Sequence, residues 1–210
     1  MSTTQTTFDT RLQAVNEADS AQGLLDAVEA LAELNDTRAV PTLIQVLGFI
    51  NPGAAVAAVV GLSQIGLPAV SPILKTLYGY NYGARAWAIR ALAGNGDPRG
   101  QSLLLEAAAN DFSLSVRRAA ARGLGTIRWQ DISADKRSDA MLRSQTTLLQ
   151  VTQDDEWVVR YASVVGLEAL ALELPEIAPI TQRLCQLRDQ DDTMAVQARA
   201  QWALEKLEKP

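Results

Sequence analysis

A small residue followed by leucine recurs in matching contexts along the chain, at Ala30-Leu31, Gly61-Leu62, Ala91-Leu92, Gly123-Leu124, Gly166-Leu167 and Ala203-Leu204. The leucines lie 31, 30, 32, 43 and 37 residues apart. A period of this size marks one supersecondary unit stacked on copies of itself. Around each pair the apolar residues keep helical spacing, as in "AVEALAELNDTRAVPTLIQVL" from Ala27 and "AIRALAGNGDPRGQSLLLEAA" from Ala88. The small residue lets paired helices approach closely, and the leucine fills the seam between repeats. Breaks are predicted at "LND", "IGLP" and "GNGDP". There Asn or Gly can take the left-handed conformation that ends a helix, and Pro suits the first turn of the next. No sustained alternation of apolar and polar residues signals a strand. The expected fold is all-α, an α-solenoid of about five helix-pair repeats and a terminal half-repeat over residues 20–208. Residues 1–19 are expected to be a polar tail or a partial first helix.

Composition narrows the chemistry. The chain has no histidine and one cysteine, Cys185, which removes Ser-His and Cys-His nucleophile pairs, zinc fingers and internal disulfides. Cys185, inside "ITQRLCQLRD", reads as a packed helical residue. No metal site is expected. No apolar run reaches the roughly 18–20 residues that cross a bilayer, and the first residues lack a basic start followed by an apolar stretch, so a chain that stays in a reducing cytosol is expected. A net charge of −5 argues against nucleic acid, whose binding relies on cations neutralising phosphates.

The charge is unevenly placed. Residues 80–129 carry seven arginines against three acids, a net +4, so the remainder carries −9. Such a belt suits a small anionic ligand or an acidic partner. Arg85, Arg117 and Arg160 each precede a repeat leucine by seven residues, with Asp111 ahead of Arg117 and Asp154 or Asp155 ahead of Arg160; this pattern suits a structural ladder tying neighbouring loops. Arg118 and Arg122 share a helix face, where like charges repel by a few tenths of a kcal/mol unless something anionic offsets them. Asp111 and Glu106 are the local choices, and carboxylates of a ligand or partner the alternative. Trp87 points about 140° away from Leu92 on an ideal helix, which fits packing on a partner helix or a wall for a flat ligand. Tyr78, Tyr80 and Tyr82 alternate across a Gly-broken loop, while Trp129 and Trp157 fit core or wall.

No motif is a catalytic signature. "GNGDPRG" follows a helix rather than a strand and lacks the Gly-Lys-Ser/Thr ending of a phosphate loop, so it reads as helix stop, turn and helix start. The acids at Asp154–Glu156 and Asp191–Asp192 stand before helices and read as caps.

The run "YNYGARAWAIRALAGNGDPRG", with "LLLEAAANDFSLSVRRAAARGLGTIRW" after it, resembles the smaller, F-type (beta) subunits of the E/F-type phycobilin lyases, which are built from HEAT-like repeats. The resemblance covers Pro52 to Trp129 with specific residues and the rest through repeat pattern and length. It implies a cyanobacterial or plastid protein working as a heterodimer with a larger E-type subunit of similar repeats. Phycocyanobilin is then the substrate rather than a permanently bound cofactor, and is attached to a cysteine of the phycocyanin alpha subunit as a thioether. Isomerising relatives carry an Asn-His-Cys triplet that this histidine-free chain lacks, so attachment without isomerisation is implied. A bilin has conjugated rings and two propionates. Tyr80, Tyr82, Trp87 and Trp129 could wall the rings, Arg90, Arg117, Arg118 and Arg122 could fork the propionates, and Asp111 could accept the pyrrole N–H groups. No catalytic acid is assigned; the partner subunit is one source. The rival reading is a non-catalytic repeat scaffold for phycobiliproteins, or an adaptor whose acidic remainder meets a basic partner.

Overall fold

The computed structural model describes residues 3–76 and 82–208, with the side chains of residues 3, 4, 82 and 83 left aside. The described residues form helices and no strand. They divide into two compact units, residues 1–95 and 96–210.

The first unit holds α1 (Thr3–Glu17), α2 (Ala21–Ala32), α3 (Val40–Val46), α4 (Pro52–Ile65), α5 (Leu67–Thr76) and α6 (Tyr82–Asn95). Helices α2, α4 and α6 pack side by side as one layer, α3 and α5 lie against them as a second, and α1 rests on α2. The amino-terminal segment is thus helical, with Phe8 and Val15 buried and the Arg38 guanidinium 4.1 Å from the Phe8 ring centre. Helix starts follow ordinary capping chemistry: the Ser20 hydroxyl accepts the Gly23 amide at 3.1 Å, and the Asn51 side chain accepts that of Ala54 at 3.0 Å, with Pro52 in the first turn. The three expected breaks are where backbone φ turns positive, at Asn35 (49°), Gly66 (75°) and Gly96 (71°).

The second unit repeats the plan with α7 (Gln101–Asn110), α8 (Leu114–Gly125), α9 (Ala134–Val151), α10 (Trp157–Ala171), α11 (Ala178–Gln190) and α12 (Met194–Leu207). Here α8, α10 and α12 form one layer and α7, α9 and α11 the other. The repeat leucines make the core, from Leu31 and Leu62 in the first unit to Leu124 and Leu167 in the second, all fully buried. The small residues admit the paired helix, with a Cβ on Gly61 or Gly166 lying 3.1 Å from Leu43 of α3 or 3.0 Å from Leu148 of α9, and they also admit, more closely still, the equivalent helix of the preceding repeat. A Cβ on Gly61 of α4 would sit 2.7 Å from the Ala32 Cβ of α2, and one on Gly166 of α10 would sit 2.5 Å from the Ala121 carbonyl oxygen of α8. At Gly166 the neighbouring repeat touches with its backbone and at Gly61 with a methyl group, because a glycine removes the side chain that would separate them.

Candidate functional site

In the first unit the candidate residues sit on α6. Trp87 and Arg90 are both half-buried, and the Arg90 guanidinium stacks 4.5 Å from the Trp87 ring centre. Three residues apart on one helix, they form a cation–π pair that holds the indole in one orientation. Tyr80 lies outside the described residues, and Tyr82 opens α6 with its side chain also outside them. On the other side of α6, Arg85 lines a groove of about 260 Å³ with Ile44, Leu47, Thr76 and Ala88.

In the second unit the ladder is present but offset by one repeat. Arg117 grips not the acid that precedes it in its own repeat but Asp154 of the next, donating from Nε at 2.7 Å and Nη2 at 3.0 Å. Its Nη1 donates to the carbonyls of Asp111 and Phe112 in its own loop. Arg160 does the same one repeat further on, reaching Asp191 at 2.8 and 2.9 Å and the carbonyls of Asp154 and Asp155. None of these acids caps a helix through its side chain: Glu156 holds the N-cap position of α10 without a side-chain cap bond, and Thr193 holds that of α12. Asp154 and Asp191 each accept the amide two residues on, from Glu156 and Thr193, and hold the arginine of the previous repeat. Burial pushes the Asp154 carboxyl up, but the Arg117 fork and the Glu156 amide outweigh it and leave the group below the ordinary carboxylate value. Asp191 behaves alike, with Arg160 and the Thr193 amide overcoming burial.

Two further candidates turn inward. Trp129 is only 2% exposed, so its ring is enclosed in the turn between α8 and α9 instead of walling a ligand. Asp111 is buried as well, and its Oδ1 accepts the Ser113 amide; it serves its own loop. Arg117, with both edges of its fork engaged, is a clamp.

Arg118 and Arg122 remain on the surface, one turn apart on α8 and both exposed. Among the described residues neither has an acid within ion-pair distance. Their repulsion is thus left uncompensated among the described residues, although other arginines of the belt are neutralised: Arg99 lies 2.8 Å and Arg128 3.7 Å from Asp97. The Arg99 fork holds the Asp97 carboxyl below its usual range. Among the described residues no cluster of metal ligands occurs, and no helix is long and apolar enough to cross a membrane.

A family model described as HEAT repeats matches residues 8–81 and 78–168. The phycocyanin alpha phycocyanobilin lyase CpcF of a Synechocystis species is 50% identical over 93% of this chain and 92% of that protein. A phycocyanobilin lyase subunit beta from a Nostoc species is 44% identical over 90% of this chain and 94% of its own. The chain belongs to the phycocyanobilin lyase beta-subunit family, built of HEAT repeats. A solved complex of CpcE and CpcF of phycocyanin lyase from Nostoc contains a chain that superposes with a TM-score of 0.75 at 45% identity, covering 80% of this chain and 99% of that one. A designed armadillo repeat protein, 17% identical with a TM-score of 0.59, shares the fold alone.

This member of the lyase beta-subunit family also carries side chains that sequence reasoning missed. Counting back from the repeat leucines, Arg118 and Arg122 stand six and two residues before Leu124. Tyr161 and Val165 hold the same places before Leu167, and Trp202 stands two before Leu204. Tyr161 and Val165 are half-buried, and Trp202 is 63% exposed with the Arg199 guanidinium 5.2 Å from its ring centre. Repeat register is the signal in the sequence that marks these positions.

Proposed function

We propose that this chain is the smaller subunit of a heterodimeric phycobilin lyase that, with a larger E-type subunit, attaches phycocyanobilin to a cysteine of the phycocyanin alpha subunit in the cyanobacterial cytosol. The observation that carries this reading is the exposed Arg118–Arg122 pair, without an acid at ion-pair distance among the described residues, on a chain half identical to a phycocyanin alpha phycocyanobilin lyase. Two guanidinium groups one turn apart match a ligand with two carboxylates, and each fork forms charge-assisted hydrogen bonds stronger than neutral ones. The stacked Trp87 and Arg90 supply an oriented ring surface, and Tyr80 and Tyr82 add ring walls on the strength of the sequence.

The step itself is an addition. The acceptor thiolate forms a C–S bond to the ethylidene carbon of ring A, and the displaced π electrons take a proton at the adjacent ring carbon, so no oxidant or reductant is consumed. The thiol belongs to the acceptor, where its thiolate is the nucleophile. This chain contributes orientation: a bilin held in one conformation presents one carbon to one sulfur, and wrong additions are screened out. Without histidine, attachment proceeds without isomerisation, and phycocyanobilin passes through as substrate rather than staying as a cofactor. Co-expression with the E-type subunit, a bilin source and apo-alpha subunit tests the reading. Colour that stays on the alpha subunit after denaturation is expected. Pigment lost on denaturation, with the alpha subunit still bound, would instead make the chain a scaffold.

A further inference from the structure

We propose that the row of turns opening α8, α10 and α12 is a docking edge for the acceptor protein, taking a surface segment of the phycocyanin alpha subunit in which basic side chains surround an apolar one; this rests on the lyase reading above. Leu114, Trp157 and Met194 are the first residues of those three helices, and each stands three after a ladder aspartate, Asp111, Asp154 or Asp191. They are 41%, 45% and 82% exposed. A single exposed apolar side chain is ordinary, but three at one register of successive repeats make a row of the kind that marks an interaction site. The arginine clamps join its turns. Arg117 ties the Asp111 and Phe112 carbonyls to the Asp154 carboxylate, and Arg160 ties the Asp154 and Asp155 carbonyls to that of Asp191. Consecutive turns are thus one guanidinium apart and already ordered, which keeps the entropic cost of docking low.

Charge selects what the row meets. Asp155 and Glu156 are exposed directly ahead of Trp157, and Asp192, two before Met194, stays exposed although it reaches the Arg160 guanidinium. The first two turns of α10 and α12 bring no exposed base, since Arg160 and Arg199 are buried. Arg118 stands a turn into α8, so the acidic stretch runs from α10 to α12. An anionic pigment or lipid surface is repelled there, whereas a protein surface with Lys or Arg around an apolar anchor matches both features. Size then separates a passing partner from a permanent one. With about 150–250 Å² for a large side chain, the exposed parts of the three come to roughly 300–400 Å². A stable complex buries about 800 Å² on each partner. A subunit that stays bound needs more than this row offers, while an acceptor that must leave after each transfer does not.

The test titrates the assembled, pigment-free heterodimer with fluorescently labelled apo-alpha subunit, and measures pigment transfer alongside. Trp157→Gln with Met194→Gln is expected to weaken apo-alpha binding about tenfold and to raise the KM for apo-alpha by a similar factor with kcat unchanged, as loss of uniform binding does. Asp155→Asn with Glu156→Gln, which leaves the clamp carboxylates in place, should weaken it about threefold and make it less sensitive to salt than wild type. Pigment binding and affinity for the E-type subunit should hold in both. Wild-type affinity for apo-alpha in either variant that folds would overturn the proposal. So would a loss that falls instead on assembly with the E-type subunit or on self-association of this chain, since either would put a different occupant on the edge. Failure of the lyase reading itself looks different: a wild-type heterodimer that transfers no pigment.

Discussion

Arg118 and Arg122 are the residues at which stability and function should separate. Among the described residues their guanidinium groups touch no acid, so removing both charges relieves a repulsion of a few tenths of a kcal/mol and leaves folding intact. A charge-assisted hydrogen bond contributes about 1.5–3 kcal/mol, so Arg118→Gln with Arg122→Gln should slow bilin transfer at least about tenfold while the melting temperature holds or rises slightly; equal losses in both would mark the pair as structural. The tryptophans divide the same way. Trp129, 2% exposed, should cost about 3–5 kcal/mol of stability when replaced by Ala. Trp87→Ala should instead weaken pigment binding, because its half-buried ring already faces Arg90. Denaturant unfolding beside pigment titration distinguishes the two. The sequence named Arg118, Arg122 and Trp87 because charge spacing and helical angle can be counted along one helix. It could not rank Trp129, whose burial is decided by a turn folding over it.

At the scale of the helix, the repeat was legible in its period and its breaks, and less so in its contacts. Leu62, Leu124 and Leu167 are buried as their pattern requires, and Asn35, Gly66 and Gly96 take positive φ where the turns were expected. The partner of each small residue was not legible, since a glycine in sequence does not say which backbone approaches it. The ladder failed to show its offset for a related reason: Asp111 and Asp154 stand at equivalent distances from their own arginines, and only stacking shows that Arg117 reaches forward to Asp154. Gly166 and Gly94 make a measurable contrast. A methyl at Gly166 meets the Ala121 carbonyl at 2.5 Å, whereas at Gly94 the nearest atom is the Ser63 hydroxyl at 2.6 Å. Backbone cannot rotate away and a hydroxyl can. Gly166→Ala should therefore cost about 1–3 kcal/mol, as overpacking does. In Gly94→Ala, up to about 1 kcal/mol of helix propensity offsets the contact, leaving it near neutral in urea unfolding.

Across the molecule, stability is expected to accumulate repeat by repeat, because stacked helix pairs lean on their nearest neighbours. In the second unit that coupling includes two carboxylates, Asp154 and Asp191, shared between successive repeats. Both are held below the ordinary value near 3.8: burial raises them, and the arginine forks and loop amides more than offset it. A carboxyl depressed on folding binds protons more readily in the unfolded chain, so its contribution is fully present above the ordinary value and is lost as pH falls through the folded one. Acidification from pH 5 to pH 2 should thus erode unfolding free energy through these two groups. Replacing both by Asn removes the titration along with the ion pairs. The double variant should be less stable at neutral pH, by about 1–3 kcal/mol for each arginine that loses a charged hydrogen-bond partner, yet show a shallower decline below pH 4. Unfolding followed by circular dichroism across that range measures both effects. Parallel curves, displaced but equally steep, would mean that carboxylates elsewhere govern acid unfolding and that the ladder acts through geometry alone.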